Sequence, residues 1–286
     1  MAQIRELKKR IGAVKTIARI TKTMQMIATA KFTTALQRAK STKPYATSIG
    51  DLVSRVVGSA EEIKSPLTKK WNVNRELVLL ISSDRGLCGA YNGNVFRMAM
   101  GYIREAEALG KEVEIQTIGK KAGSLLRFQK KDVSFHHNLG DTPTYEEVSR
   151  VAEKFLTDFS RGVYSSIKIV SMEFVSTSKQ QPKINQILPI EPCGGNVKQT
   201  GATYEMLPSA GGLIKTLLPL SVKTALFSAV NDALVSEQVM RMIAMKAATE
   251  NANDLGRGLK RNFNRARQAQ ITTELTEIIS GAAALE

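Results

Sequence analysis

The chain of 286 residues is 43% apolar, enough for one large or two small domains with a substantial core, and it is basic, with 41 Lys or Arg against 26 Asp or Glu and a formal charge of +15. No run approaches the 18 consecutive apolar residues of a membrane span: Leu77 to Ile81 is short, and Leu213 to Leu220 is broken by Lys215 and Pro219. The only two cysteines, Cys88 and Cys193, lie far apart without CxxC or metal-ligand spacing, so a reducing compartment and no structural zinc are expected.

From Met1 the chain is amphipathic, with charges spread through it and no compact apolar segment or small-residue cleavage site, so a bacterial cytoplasmic start is expected rather than a secretory signal. Apolar residues recur at Ile4, Leu7, Ile11, Val14, Ile17, Ile20, Met24 and Ile27. Seven steps over 23 residues average about 3.3, close to a coiled-coil seam and drifting slowly around the helix. The first proline is Pro44, so the spacing predicts one helix of more than 40 residues and then a second helical stretch from Tyr45 to about Glu62. Met1 to Lys43 carries eleven Lys or Arg and one acid, Glu6.

Next the period changes. Glu76 to Ser82, Val113 to Ile118, Val133 to His136, Ile167 to Val175 and Ile184 to Ile190 read as strands, and Phe96 to Leu109, Ala122 to Gln129 and Tyr145 to Phe159 as helices. Strands alternating with helices predict an α/β domain over 72–192, Rossmann-like, with a mainly parallel sheet and the last two strands as an antiparallel hairpin at its edge. Just after the first strand comes SDRGLCGAYN, Ser83 to Asn92. A glycine-containing strand-to-helix turn suits a phosphate at a helix N-terminus, but Gly86 and Gly89 give only GxxG, without a dinucleotide fingerprint or P-loop lysine. The other reading is a tight structural turn. Nothing in the sequence picks out a base for Cys88, and His136 and His137, adjacent on a strand, point to opposite faces and share no metal.

Glu191 to Pro208, with Pro192, Gly194, Gly195 and Gly201, reads as a linker into a helix over 208–286 that mirrors the N-terminal one over 1–62. Beyond Pro219 there is no proline for 67 residues, and Ile271, Leu275, Ile278, Ala282 and Leu285 step by 4, 3, 4 and 3. A helix of that length spans roughly 100 Å at 1.5 Å per residue and cannot bury its seam alone. The two terminal helices are therefore expected to pair as a long antiparallel coiled coil. A second basic run, Arg257, Lys260, Arg261, Arg265 and Arg267, has no acid between Asp254 and Glu274. Such density implies nucleic acid, an acidic protein surface or simply a solvated helix face.

Four stretches resemble the gamma subunits of bacterial F-type ATP synthases: RITKTMQMIATAKF (Arg19 to Phe32), SDRGLCGAYN, MIAMKAATENAND (Met242 to Asp254) and RARQAQITTELTEIISGAAAL (Arg265 to Leu285). The last carries Ile271, Thr272, Glu274, Glu277, Gly281 and Ala282 at the family's spacing, and the likeness covers essentially the whole chain. The resemblance implies a shaft, one copy per complex, inside three alpha and three beta subunits, with the α/β domain at the foot against epsilon and the membrane c-ring. It implies no catalytic residue, cofactor or metal in this chain, no nucleic acid and no small-molecule substrate, and a peripheral place on the cytoplasmic face of the bacterial plasma membrane. Contacts with the beta levers carry over to Arg267 and Gln268, with Met24 facing them and Arg241 lower down; Tyr204 and Glu205 match the c-ring segment, and Ile278, Ala282 and Leu285 the upper bearing. The cysteine-bearing insertion of the chloroplast branch is absent, so thiol control is not expected. Gly256 and Gly258 fall where better helix formers are expected. Two competing functions remain at this level: a basic nucleic-acid-binding coiled coil, and a nucleotide-binding α/β enzyme.

Overall fold

The computed structural model describes residues 2–59, 65–190 and 210–283, with side chains from 4–53, 65–190 and 212–283; the expected linker, Glu191 to Pro208 with Cys193, lies outside the described residues. Two long helices bracket the chain, α1 (Ala2–Ser59) and α5 (Ala210–Ala283). Between them run β1 (Arg75–Ile81), α2 (Tyr91–Ala108), β2 (Glu112–Ile118), α3 (Lys120–Phe128), β3 (Phe135–His137), α4 (Tyr145–Ser160), β4 (Ser166–Phe174) and β5 (Gln180–Leu188). The chain divides into two compact units, Met1–Ala30 with Arg241–Glu286, and Lys31–Met240.

The larger unit holds a five-stranded sheet in the order β3-β2-β1-β4-β5. Its first four strands are parallel, and β5 closes the edge antiparallel to β4, as the sequence predicts. The run ELVLLI in β1 is buried on both faces, as a central parallel strand must be. Leu77, Leu79 and Ile81 face a core shared with α4, with Ile49 and Val53 of α1 and with Ile214 to Ala233 of α5; Val78 and Leu80 face α2 and α3. One 18-residue window of α5 reaches a mean hydropathy of 1.4, enough by composition for a membrane span. Within this unit, however, Ile214, Leu218, Val222, Leu226 and Val230 are buried in the core, which explains that hydropathy without a bilayer.

The expected interruption at Pro44 does not occur: α1 runs through it. Proline inside a helix removes one hydrogen bond and crowds the preceding turn, at about 3 kcal/mol or more. Burial of Ile49 and Val53 on the far side offsets that cost, since a fully buried aliphatic side chain contributes about 1.5–3 kcal/mol.

In the smaller unit α1 and α5 pair antiparallel. Thr249 Oγ1 lies 2.8 Å from Thr21 Oγ1, and Gly256 sits so close to Val14 that an added Cβ would lie 3.7 Å from Val14 Cγ1. Moving seven residues forward on α1 moves seven back on α5, which fixes both direction and register. The inward positions of α1 are Ile4, Leu7, Ile11, Val14, Ala18, Thr21, Gln25 and Ala28; those of α5 are Met245, Thr249, Ala252, Gly256, Leu259, Phe263, Ala266 and Gln270. Both sets step strictly by three and four, a coiled-coil seam. From Ala18 onward it differs from the apolar series expected from the sequence, and Ile17, Ile20 and Ile27 are half exposed.

Candidate functional site

Two places in this fold invite function: the crevice at the sheet's topological switch point, and the outer surface of the helix pair. In doubly wound sheets ligands bind beyond the carboxyl ends of the strands, where the chain reverses its direction of winding. Here that point lies between β1 and β4, because α2 and α3 lead to one side of β1 and α4 leads back to the other.

The turn Ser83 to Asn92 closes over this end of β1 and turns its polar groups inward. Asn92 Oδ1 accepts from the Ser83 amide at 3.1 Å, and its Nδ2 reaches Ser83 Oγ at 2.8 Å and Cys88 Sγ at 3.2 Å. Neighbouring Ser82 Oγ accepts from the Ala122 amide at 2.9 Å, and Asp84 Oδ1 from the Lys120 amide at 3.1 Å. At the start of α3 the Lys120 and Ala122 amides are thus taken by side chains and the Lys121 amide by the Ser83 carbonyl, and at the start of α2, the helix this turn enters, the Tyr91 amide donates to the Cys88 carbonyl, so these donors are not free for a phosphate. Gly119, with φ +86°, lets the two loops meet: a Cβ there would fall 2.1 Å from the Ser82 carbonyl oxygen. Packed against this turn, Val230, Ala233 and Gln238 of α5 leave a cavity of about 30 Å³. Small-molecule sites run to about 300–1,000 Å³, so this one has room for a water or two. The tight-turn reading holds, and Cys88 is buried in the network.

His136 and His137 part to opposite faces as expected. His136 Nδ1 meets Thr117 Oγ1 at 3.0 Å, while His137 is buried beside Gln116 Oε1 at 2.8 Å and packs edge-on against Phe155. Burial pushes the His137 imidazole down to about 4, helped by the charges of Lys154 and His136.

On the helix pair, the seam register carries the start of α1 to about the level of Gln268. Beyond it every described residue of α5 from Ile271 to Ala283 is exposed, including Ile271, Leu275, Ile278 and Ile279. These apolar residues at heptad spacing form a seam without a partner among the described residues of the smaller unit. Below it the basic run Arg257, Lys260, Arg261, Arg265 and Arg267 is exposed, and only Arg257 has an ion-pair partner among the described residues, Asp254. The outward Ile17, Ile20 and Ile27 add an apolar ridge on α1. Counting strict three-four steps instead of following apolar residues would have separated that ridge from the seam.

Arg267 and Gln268 are exposed neighbours at the last paired turn. Met24 is partly buried and level with Lys246, about 30 Å along the helix from Arg267 at 1.5 Å per residue, so the two do not meet. Arg241 is buried, at 8% exposure, and Ile278 and Ala282 are exposed. Tyr204, Glu205 and Leu285 lie outside the described residues.

The fold and this surface define a class: a long antiparallel helix pair, interrupted in sequence by a Rossmann-like domain whose ligand crevice is filled, with an unpartnered helical end. A family model described as ATP synthase matches residues 3–285. Full-length relatives include the ATP synthase gamma chains of Rhodopirellula baltica, 38% identical with complete coverage of both chains, and of Chloroflexus aurantiacus, 38% identical over all of this chain and 99% of the other. That of Leptospira biflexa is 36% identical with complete coverage of both. The chain belongs to the ATP synthase gamma chain family. Its fold is shared with a chain of the Euglena gracilis mitochondrial ATP synthase (OSCP/F1/c-ring), at a TM-score of 0.70 and 20% identity over 99% of this chain and 95% of that one. A chain of the Tetrahymena thermophila mitochondrial ATP synthase central stalk and c-ring gives 0.56 and 19% over 80% and 99%. These names lend no support to a nucleic-acid-binding coiled coil.

Proposed function

We propose that this chain is the central shaft of a rotary ATP synthase, one copy turning inside three alpha and three beta subunits, and that it makes and breaks no bonds itself. The observation that carries this reading is the end of α5, where an apolar heptad without a partner among the described residues of its unit follows directly on an exposed basic collar. An apolar bearing and an acidic sleeve suit these two surfaces. The pair is also unequal around its axis: Ile17 and Ile20 stand outward on α1 level with the exposed polar Asn253 and Glu250 of α5. Three identical sites around such an axis meet different faces. Each orientation then favours one beta conformation by differential contact energy, and rotation shifts the populations in turn.

In the same reading Arg267 and Gln268 engage a beta lever, Met24 contributes a further beta contact at another level, and Ile278, Ala282 and Leu285 turn in the upper bearing, while Arg241, at 8% exposure, is packed within this chain. Tyr204 and Glu205 meet the c-ring, the α/β domain meets epsilon, and the assembly sits on the cytoplasmic face of the bacterial inner membrane. The filled crevice at the switch point supports the absence of a cofactor or a small-molecule substrate.

The test is reconstitution with alpha and beta subunits. ATPase activity should depend on this chain, while the highly purified chain alone hydrolyses none. Activity of alpha and beta that is indifferent to the chain would overturn the reading, as would steep, high-affinity DNA binding in a salt titration without co-assembly.

A further inference from the structure

We propose that the open edge of β3, with the basic face of α3 beside it, is a docking groove in which an extended acidic segment of a partner protein adds to the sheet as a sixth strand. This surface belongs to the larger unit and is separate from the helix residues assigned above to beta.

β3 is the end strand of the sheet, so on its side away from β2 alternate backbone N–H and C=O groups point outward. Beside it runs a groove of about 640 Å³ between the strand and α3. Lys120 and Arg127, seven residues apart on α3 and so about 10 Å apart along its axis, line the groove; both are exposed and neither has an ion-pair partner among the described residues. Lys131 closes one end and is held by Glu107 at 2.5 Å; Asp132 is the groove's only acid. On the opposite face of the strand Phe135 is 47% exposed, with Lys154 Nζ 4.6 Å from its ring centre.

These features select a polypeptide. Outward N–H and C=O groups at strand spacing are satisfied by another strand about 4.8 Å away. Successive side chains of that strand would alternate between the α3 face, where carboxylates two positions apart fall about 7 Å from one another and within reach of both cations, and the Phe135 face, where apolar side chains fit. The segment is therefore acidic and apolar in alternation. A nucleic acid strand would find the cations but would not complete the strand edge, and Phe135, the exposed ring of the strand, lies on the face away from the cations and already carries Lys154. Because β3 is only three residues long, backbone pairing alone is weak and the cations must supply much of the binding.

The experiment uses the full chain and a fluorescein-labelled eight-residue peptide of alternating Glu and Val, followed by anisotropy. Binding should weaken at least tenfold with Lys120→Glu plus Arg127→Glu, and at least threefold with the milder Arg127→Gln. N-methylation of alternate peptide residues, which removes strand pairing and leaves the charge, should also cost at least tenfold. No binding of the Glu-Val peptide, unchanged binding in the charge-reversed chain with its circular dichroism intact, or equal binding of the N-methylated peptide would overturn the proposal. So would preferential binding of a single-stranded oligonucleotide of matched charge at the same residues.

Discussion

His137 on β3 and Asp232 on α5 are both pushed by burial toward their neutral forms, and as pH falls they move stability in opposite directions. For His137 the folded value is about 4 against an ordinary 6.5. The unfolded chain takes up that proton first, so stability is lost between about pH 6.5 and 4. Burial raises the Asp232 carboxyl to about 6 from 3.8; Lys43 and Lys183 oppose the rise and Glu173 assists it. Here the folded chain takes up the proton first, so stability is gained as pH falls from about 6 toward 4. Each tenfold difference in proton affinity between folded and unfolded chain is worth about 1.36 kcal/mol, so each effect amounts to at most about 3 kcal/mol, and over this window they nearly cancel. Asp232→Asn removes one side of the balance. The variant should be more stable than the parent at pH 7.5, by about 1–3 kcal/mol, and should then lose stability between pH 6.5 and 5 where the parent is nearly flat. Urea unfolding at four pH values between 5 and 7.5 measures this; parallel profiles for the two proteins would show that Asp232 is not the opposing group.

Along the helices, Gly256 and Gly258 fall into different environments. Gly256 is a seam position against Val14, where an added methyl group finds ordinary contact at 3.7 Å, and Gly258 lies just outside the seam with nothing within 4 Å. Glycine inside a helix costs about 0.5–1 kcal/mol relative to alanine, so Gly256→Ala plus Gly258→Ala should stabilise the pair by about 1–2 kcal/mol. Amide exchange from Asp254 to Asn262 should slow accordingly, and unchanged exchange there would refute the argument. The central strand β1 was readable from ELVLLIS because a buried parallel strand writes a continuous apolar run, whereas β5 was expected only from Ile184, since its first half, Gln180 to Lys183, is at least partly exposed throughout and writes no such run. The seam was readable only as far as Val14. Beyond it the inward positions Ala18, Thr21 and Gln25 are small or polar, while the larger apolar residues Ile17 and Ile20 face outward, so a count of hydrophobicity follows the wrong stripe. That slip is physical: α1 carries apolar residues on more than one face, so apolar spacing alone does not pick out the face that pairs with α5. Proline at 44 misled for a similar reason, since a local cost is visible in sequence and the tertiary burial that offsets it is not.

For the molecule as a whole, the proposed shaft raises the question of which cations on α5 would engage a beta lever. The chain is so basic that any acidic neighbour would be attracted to it, yet an exposed ion pair contributes only about 0–1 kcal/mol and is screened by salt. A lever contact worth more must be dry and geometrically specific. In the proposed assembly Arg267 and Gln268 suit the geometric part of that requirement better than Lys260 and Arg261, all four being exposed in this chain. The guanidinium fork holds two acceptors at once, where lysine offers a point charge, and the pair sits at the turn where α5 is about to lose α1, so one side of the shaft differs most from the other. Two unit charges 4 Å apart at an effective dielectric near 20 interact by about 4 kcal/mol before desolvation and side-chain entropy, leaving about 1–3 kcal/mol for a charged hydrogen bond. About 1.4 kcal/mol already biases one beta state tenfold, and an attraction of this size still releases as the shaft turns. If Arg267 instead belonged to a diffuse collar, its neighbours Lys260, Arg261 and Arg265 would substitute for it. In the reconstituted complex, Arg267→Ala plus Gln268→Ala should lower ATPase rate and torque about tenfold, and Lys260→Ala plus Arg261→Ala by less than about threefold. A larger loss in the second variant would move the force-bearing contact from the latch to the collar.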